Sequence, residues 1–436
     1  MMPWGPRWPR ALARSTHALL VAAGTLLPWA ASSAQGTIAR PGEVRVAIVA
    51  RARDVAVSAT GPWQVDERAG SALLVRGDGG EPWRIEPGAA GYASARASSG
   101  RLLRVAGDRG DATPYRAGPF VARATAPGAL VSVNGKRYRG AVWFVPTDSG
   151  ILVINALPVD DYLLGVVPHE LGTRAVGDLE ALKAQAVAAR SFALARARER
   201  SGRGLPFDLV ATEMDQVYGG AGAEHDLATR AVRATAGEVL MVAGKVLAAP
   251  YFSACGGRTA EPGEAWAGMQ GATWARSVSD RIPGTDRAYC DIAPRAEWRM
   301  GFDADDLARA LEAVARQRGR RVGERVLDVA VVERSASGRA TTVALRTDAG
   351  HVELRGAELR SALRGSRGEM VASTAFSVAG SERRGDRLVW LELAGAGHGH
   401  GVGMCQWGAI GRARAGQDYR LILRTYYPGA TLERID

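Results

Sequence analysis

The chain has 436 residues, with 56 Lys and Arg against 45 Asp and Glu for a net charge of +11, and hydrophobic residues make up 47% of it. That length and apolar content exclude a disordered polymer and suffice for two or three domains with a sizeable core. The basic excess favours polyanionic partners, yet the Arg residues are scattered among Ala, Gly and Val with no basic cluster interleaved with aromatics, so nucleic acid is set aside as a partner.

Residues 1–34 read as a secretory signal peptide. Arg7, Arg10 and Arg14 precede an apolar run from Ala18 to Ala31, and Ser32-Ser33-Ala34 offers small residues for cleavage before Gln35. The run is short and interrupted by Pro28, and no later segment is apolar for long enough to span a bilayer as a helix, so contact with a membrane is expected to be peripheral at most. An uncleaved N-terminal anchor is the lesser expectation. Removing these residues takes away three Arg and no acid, which brings the net charge from +11 to +8. Export implies a periplasmic, wall or extracellular setting that is oxidising, where two of the three cysteines can pair. Cys255 with Cys290 is the preferred disulfide because the two bracket one loop-rich segment, whereas Cys405 lies far along the chain in a different setting. The other pairings stay open.

Residues 35–125 form an expected β-rich region: EVRVAIVA at 43–50 and several later runs alternate and are bounded by Gly and Asp. Gly107 to Pro127 is rich in Gly, Pro, Asp and Arg and reads as a connection. A main domain is expected over 126–436. It opens with strands at Ala129–Val133 and Lys136–Val145 joined by an Asn134-Gly135 hairpin turn, followed by a strand at Ile151–Ala156.

The stretch from Gly165 to Arg198 carries the first candidate chemistry. Gly165, Val166, Val167 and Pro168 read as a buried strand end that opens into a loop at His169 and Glu170. A carboxyl at such an edge is partly desolvated and held neutral, the state a general acid needs. His169-Glu170 is not a zinc-protease signature, because Thr173 stands where HExxH requires His. Leu179, Leu182, Ala186, Ala189 and Ala193 recur at three and four, which predicts an amphipathic helix with Asp178 as N-cap, continuing to Gly202. Lys183 and Arg190, seven positions apart, project from nearly one face, where they either flank a polar ligand or form an ordinary solvated face.

Further on, a short helix is expected at Ala228–Thr235, paired strands at Val239–Met241 and Lys245–Phe252, and a turn at Gly256-Gly257. A helix at Phe302–Arg318 and a hairpin of Val326–Arg334 with Ala340–Arg346 suggest a small α+β unit inserted over 299–377. In Gly395–Gly429 glycines alternate with other residues, so His398 and His400 would share one face. That spacing suits a His-x-His metal pair or, as preferred with no third ligand in the pattern, a glycine-rich loop with hydrogen-bonded imidazoles. Gln406 beside Trp407 pairs an amide with an apolar face, an arrangement suited to a sugar ring or to a core.

Four blocks in order resemble the SpoIID/LytB family, the stage II sporulation protein D and amidase-enhancer group. They are YRG at Tyr138–Gly140 with INALPVDDYLLGVVPHELG at 154–172; EALKAQAVAARSFAL at 180–194; YFSACGGRT at 251–259 with Trp266; and GHGHGVGMCQWGA at 397–409 with YYPG at 426–429. The resemblance implies an α+β fold with a β-rich core and a long helix lining a cleft. It also implies a protein acting on peptidoglycan glycan strands by lytic transglycosylation, with Glu170 as the catalytic acid and Lys183 and Arg190 as the basic helix positions. His398, His400, Gln406 and Trp407 join these as substrate-binding candidates. The competing expectation is a non-catalytic glycan-binding module that stimulates a cell-wall amidase. The chain departs from the pattern at Leu171-Gly172, where many members have Met-Pro, in two extra residues between the acid and Lys183, and in having Cys405 where Ser is commoner. Some relatives bind a metal through the position of Cys255; no His follows it closely here, so a disulfide is preferred to zinc and no cofactor is expected.

Overall fold

In the segment EVRVAIVARA the side chains of Val44, Arg45, Val46 and Ala47 are all buried, so this strand has cover on both faces and must lie inside a sheet. The computed structural model describes residues 42–67, 72–88, 102–266 and 268–435, and the signal peptide expected at 1–34 lies outside the described residues. Strand Glu43–Ala52 pairs antiparallel with Gly150–Pro158 and, on its other edge, parallel with Leu209–Val210. The seven-stranded sheet then runs through Ala141–Thr147, Phe120–Ala124, Trp63–Glu67 and Ala72–Gly77. A six-stranded sheet is ordered Lys136–Tyr138, Val131–Val133, Val55–Ala59, Trp83–Pro87, Leu102–Gly107 and Arg116–Ala117. The Asn134-Gly135 turn forms as expected, with both residues at positive φ (48° and 80°), the geometry that favours this dipeptide in tight hairpins.

Alternating residues of the two sheets, among them Val55, Val57, Val65, Ile85, Val105, Phe120 and Phe144, share one core with the helices that follow. The β-rich N-terminal region is therefore continuous with the main domain. The larger sheet crosses the expected boundary at 125/126, because Phe120–Ala124 is paired with Ala141–Thr147.

Helix α1 spans Val159–Leu171 and α2 spans Leu179–Ser201. The strand end expected at Gly165–Pro168 is instead helical: Asp160 and Asp161 occupy the first turn of α1, favourable at the positive end of the helix dipole, and Pro168 is accommodated near its end. The Val-Val-Pro run looks strand-like only because α1 is covered on most sides, with Tyr162 to Val167 all buried. Helix α2 forms where its period predicts, but Asp178 makes no capping hydrogen bond; its carboxylate pairs with Arg414 at 2.6 and 3.0 Å. Small side chains from Ala181 to Ala193 let α1, α3 (Asp226–Ala234) and two later helices pack closely around α2.

The chain then passes through strand Glu238–Val242, the short strand Tyr251–Phe252 and a single turn α4 (Pro262–Ala265). A second core is built from α5 (Ala304–Arg318), α6 (Gly356–Ala362), a three-stranded sheet of Val326–Arg334, Ala340–Thr347 and Gly350–Arg355, and another of Glu297–Asp303, Arg387–Ala396 and Phe376–Arg384. The inserted unit expected over 299–377 leaves out Leu388, Leu391 and Leu393, which belong to this core. The chain closes through α7 (Gln406–Arg414) and α8 (Tyr419–Tyr426), which return to the first core. The molecule is thus α+β.

Arg45 and Asp208 fasten the first strand to the segment leading into Leu209–Val210. The Asp208 carboxylate accepts from Arg45 Nε (3.1 Å), Nη2 (2.7 Å) and backbone N (2.8 Å), and both side chains are buried. Asp208→Ala strands a buried guanidinium, and we expect a loss of about 3–5 kcal/mol, read as a lowered urea midpoint with an unchanged denaturant slope.

Candidate functional site

Glu170, the penultimate residue of helix α1, turns its side chain into a cleft of about 700 Å³. Phe192 and Arg196 of α2, Glu213, Met214, Asp215 and Val217 of the following loop, Pro250 to Ser253, and Gly399, His400 and Gln406 line the cleft with Glu170. Tyr251, Phe252, Trp266 and Trp274 give it aromatic walls, and Arg360 enters from α6 of the second core.

The segments that meet here are distant in sequence. Tyr251–Phe252 pairs in parallel with Met404–Cys405, and the glycine-rich segment lies against it so closely that side chains are excluded. A Cβ at Gly403 (φ 79°) would stand 2.1 Å from Pro250 O, and one at Gly399 (φ 107°) 2.9 Å from Phe252 Cβ. Positive φ at these positions is the region glycine adopts without penalty.

A directed series of hydrogen bonds ends at the carboxyl. Tyr162 OH donates to Gln216 Oε1 (3.1 Å), Gln216 Nε2 donates to Tyr251 OH (2.9 Å), and Tyr251 OH donates to Glu170. Val217 N–H also donates to Glu170 Oε1 at 3.1 Å. Burial pushes the Glu170 carboxyl above its ordinary range, against these hydrogen bonds and one from Gln406, and the Glu213 charge pushes the same way as burial. Among the described residues no Lys or Arg pairs with Glu170. Gln406 Nε2 donates to the Glu170 backbone O (3.2 Å) and to Gln185 Oε1 (3.4 Å), which ties the start of α7 to the end of α1.

His400 is held as a neutral ring. Its Nδ1 accepts from Val402 N–H (3.2 Å), so that nitrogen carries no proton, and Nε2 then donates to Tyr251 O (3.1 Å). Burial lowers its pKa to about 4. The ring packs between Phe252 and Trp266, at centroid distances of 5.3 and 4.9 Å.

Several expected site residues lie elsewhere. Arg190 is fully buried and committed to Asp160 (2.7 Å) and to the carbonyls of Glu238 and Val232, so it does not reach the cleft. Lys183 pairs with Glu180 (2.6 Å) and lies 5.6 Å from the Tyr419 ring centre. The two cations do share a face of α2, but that face packs toward α3 and α8, because the Ala-rich helix is buried on almost every side. His398 is exposed, and its backbone pairs with Ala254. It stands outside the cleft lining, because the left-handed glycines turn the segment and break the shared face expected of a regular strand. Trp407 lies under the Arg174 guanidinium at 4.6 Å and packs against the core outside the cleft. The Cys255–Cys290 disulfide is not formed: both thiols are free, with their sulfurs 3.4 Å apart, against about 2.05 Å for a bond. Cys405 is not in a different setting, since its sulfur accepts from Cys255 N–H at 3.2 Å.

Tyr251, Val217, Glu213, Arg196, Trp274 and Arg360 also line the cleft and are not among the residues that the sequence pattern marks as site candidates. Tyr251 had a signal, because it stands in the YFSACGGRT block; Arg360 had none, since only the packing of the second core brings it to the cleft.

Residues 147–242 match the family model described as stage II sporulation protein, and residues 292–403 match the model of a domain of unknown function. The chain is 30% identical over 301 residues to an uncharacterised protein of Brachyspira hyodysenteriae, covering 69% of this chain and 73% of that one. It is 30% identical over 346 residues to the amidase enhancer of Bacillus subtilis, covering 69% of this chain and 45% of that protein, so the match spans less than half of the relative. It is 25% identical over 300 residues to stage II sporulation protein D of Bacillus subtilis, covering 65% of this chain and 76% of the relative.

Two predictions follow from this geometry. Between the ordinary glutamate pKa of about 4.3 and the raised value of the folded state, the native protein holds a proton on Glu170 that the unfolded chain has released. Stability from this group therefore falls as pH rises through that window and is unaffected below it. Glu170→Gln, which cannot ionise, is expected to be more stable than the parent at neutral pH, with the difference closing toward about pH 4; urea unfolding across pH measures it. Lys183→Ala is expected to change stability by about 1 kcal/mol or less, whereas Arg190→Ala costs about 3 kcal/mol through the cavity and two stranded carbonyls; urea midpoints of the two variants measure the difference.

Proposed function

Because the chain belongs to the SpoIID/LytB family, we propose that it is an exported cell-wall protein that cleaves peptidoglycan glycan strands as a lytic transglycosylase. The observation that carries this reading is the Glu170 carboxyl, raised in pKa by burial yet lining an open cleft with aromatic walls; of the other carboxylates in the lining, Asp215 is ion-paired with Arg200 and Glu213 lies exposed. Glycosidases usually need two carboxyl groups, an acid and a base or nucleophile. A transglycosylase needs one.

In the proposed reaction protonated Glu170 gives its proton to the oxygen joining N-acetylmuramic acid C1 to N-acetylglucosamine. The C1–O bond breaks, and positive charge develops at C1. The resulting carboxylate, now stabilised by Tyr251 OH and Val217 N–H, takes the proton from the muramic 6-hydroxyl as its oxygen bonds to C1. The product is the 1,6-anhydro sugar, and the acid is regenerated without water. Aromatic faces of Tyr251, Phe252, Trp266 and Trp274 suit sugar rings, and Arg360 suits the carboxylate of the muramic lactyl group or of a stem peptide, whereas Arg196 is already paired with Glu199.

The likeness to an amidase enhancer favours one second reading, in which the same cleft binds glycan and the protein stimulates a partner amidase without cleaving. Purified glycan strands, with and without stem peptides, distinguish the two. The proposal expects anhydro-muramic products by mass spectrometry, a rate that falls as pH rises through the Glu170 pKa, and a loss of about a hundredfold or more in Glu170→Gln with glycan binding retained. No product from the parent, with amidase stimulation intact in Glu170→Gln, contradicts it in favour of the second reading.

A further inference from the structure

Behind the cleft wall three distant segments bring their cysteines together. Cys255 follows strand Tyr251–Phe252, Cys290 lies in the turn Tyr289–Ile292, and Cys405 precedes α7. With Asp280 they offer four ligand atoms, all buried and all within 4.8 Å of one another. Cys255 Sγ stands 3.4 Å from Cys290 Sγ and 3.4 Å from Asp280 Oδ2. Ligands at about 2.3 Å (S) and 2.0–2.2 Å (O) from a tetrahedral zinc are separated by about 3.8 Å (S to S) and about 3.5 Å (S to O), so the four atoms already stand close to the corners of such a site.

The surroundings suit anionic ligands. Cys405 Sγ accepts from the N–H groups of Cys255 and Gly408, each at 3.2 Å, and Cys290 accepts from those of Gly256 and Gly257. Asp280 Oδ1 is already held by Tyr426 OH (2.7 Å) and Arg412 Nε (3.0 Å), which leaves Oδ2 turned to the sulfurs. Outer hydrogen bonds of this kind fix the ligands of metal centres. Arg339 supplies an independent observation. It is 2% exposed, its Nη2 donates to Cys255 O (2.9 Å), and its Nε and Nη1 have no hydrogen-bond partner. A buried guanidinium requires a counter-charge; Glu264 supplies part of it from a distance, and neutral thiols add none where thiolates would.

We propose that Cys255, Cys290, Cys405 and Asp280 form a closed, structural site for a zinc-class divalent ion. Three thiolates suit a borderline-soft metal and exclude magnesium or calcium as the natural occupant. On binding, the three thiols release their protons to solvent. Four anions around a dication leave two negative charges, which the buried Arg339 and Arg412 neutralise. The ion would join Cys255, two residues from the cleft-lining Ser253, to Cys405, which adjoins Gln406. It would therefore brace the wall facing Glu170 and take no part in the chemistry. The inference is independent of the reaction proposed above.

The test uses the whole protein, kept reduced and purified without chelator. The expected results are about one zinc per chain by elemental analysis, and, after exchange, a strong near-ultraviolet thiolate-to-cobalt band with tetrahedral visible absorption. Cys405→Ser, which keeps an acceptor for the N–H groups of Cys255 and Gly408, and Asp280→Asn are each expected to weaken zinc affinity about tenfold or more. The proposal is overturned by a folded, reduced protein that shows no charge-transfer band with equimolar cobalt, or by unchanged zinc affinity in both variants. A Cys255–Cys290 disulfide that persists in the purified chain, without metal, overturns it equally.

Discussion

Everything at the candidate site depends on the close parallel pairing of Tyr251–Phe252 with Met404–Cys405. Left-handed glycines at 399 and 403 let the two backbones approach to a distance that any Cβ would forbid. This contact sets Tyr251 OH against Glu170, turns His400 inward between Phe252 and Trp266, and places Gln406 on the end of α1. A carboxyl on a helix end becomes a desolvated acid only because these later segments cover it.

The hydrogen bonds and the burial act in opposite directions on Glu170, and the balance decides what the residue can do. Tyr251, Val217 and Gln406 favour the ionised form, while desolvation and the Glu213 charge favour the proton, and burial is the largest of these influences. A group poised in this way can give up a proton and then hold the resulting charge, which a single-carboxyl mechanism requires in succession. The neutral His400 adds a rigid wall without a competing charge.

Local pattern was legible in the sequence, and long-range arrangement was not. The helix at Leu179–Ser201, the Asn134-Gly135 hairpin and the helix ending at Arg318 follow from residues near one another in the chain. The sequence of α1 reads as a strand end because a helix buried on most sides lacks the periodic polar face by which helices are recognised. The same property hid the direction of Arg190: on a helix with nearly every face covered, spacing places two side chains together but does not say whether they meet solvent or core. Glu170 was found through motif order and its apolar approach, whereas Arg360 and the convergence of Cys405 with Cys255 depend on contacts more than a hundred residues apart for which a sequence holds no local signal.

A titration of the Glu170 carboxyl carbon, labelled and assigned by difference from Glu170→Gln, tests the central claim most directly. The account predicts a midpoint above the ordinary glutamate range, moving higher still when a glycan fragment fills the cleft and excludes water. A midpoint at or below that range, unmoved by glycan, would contradict it.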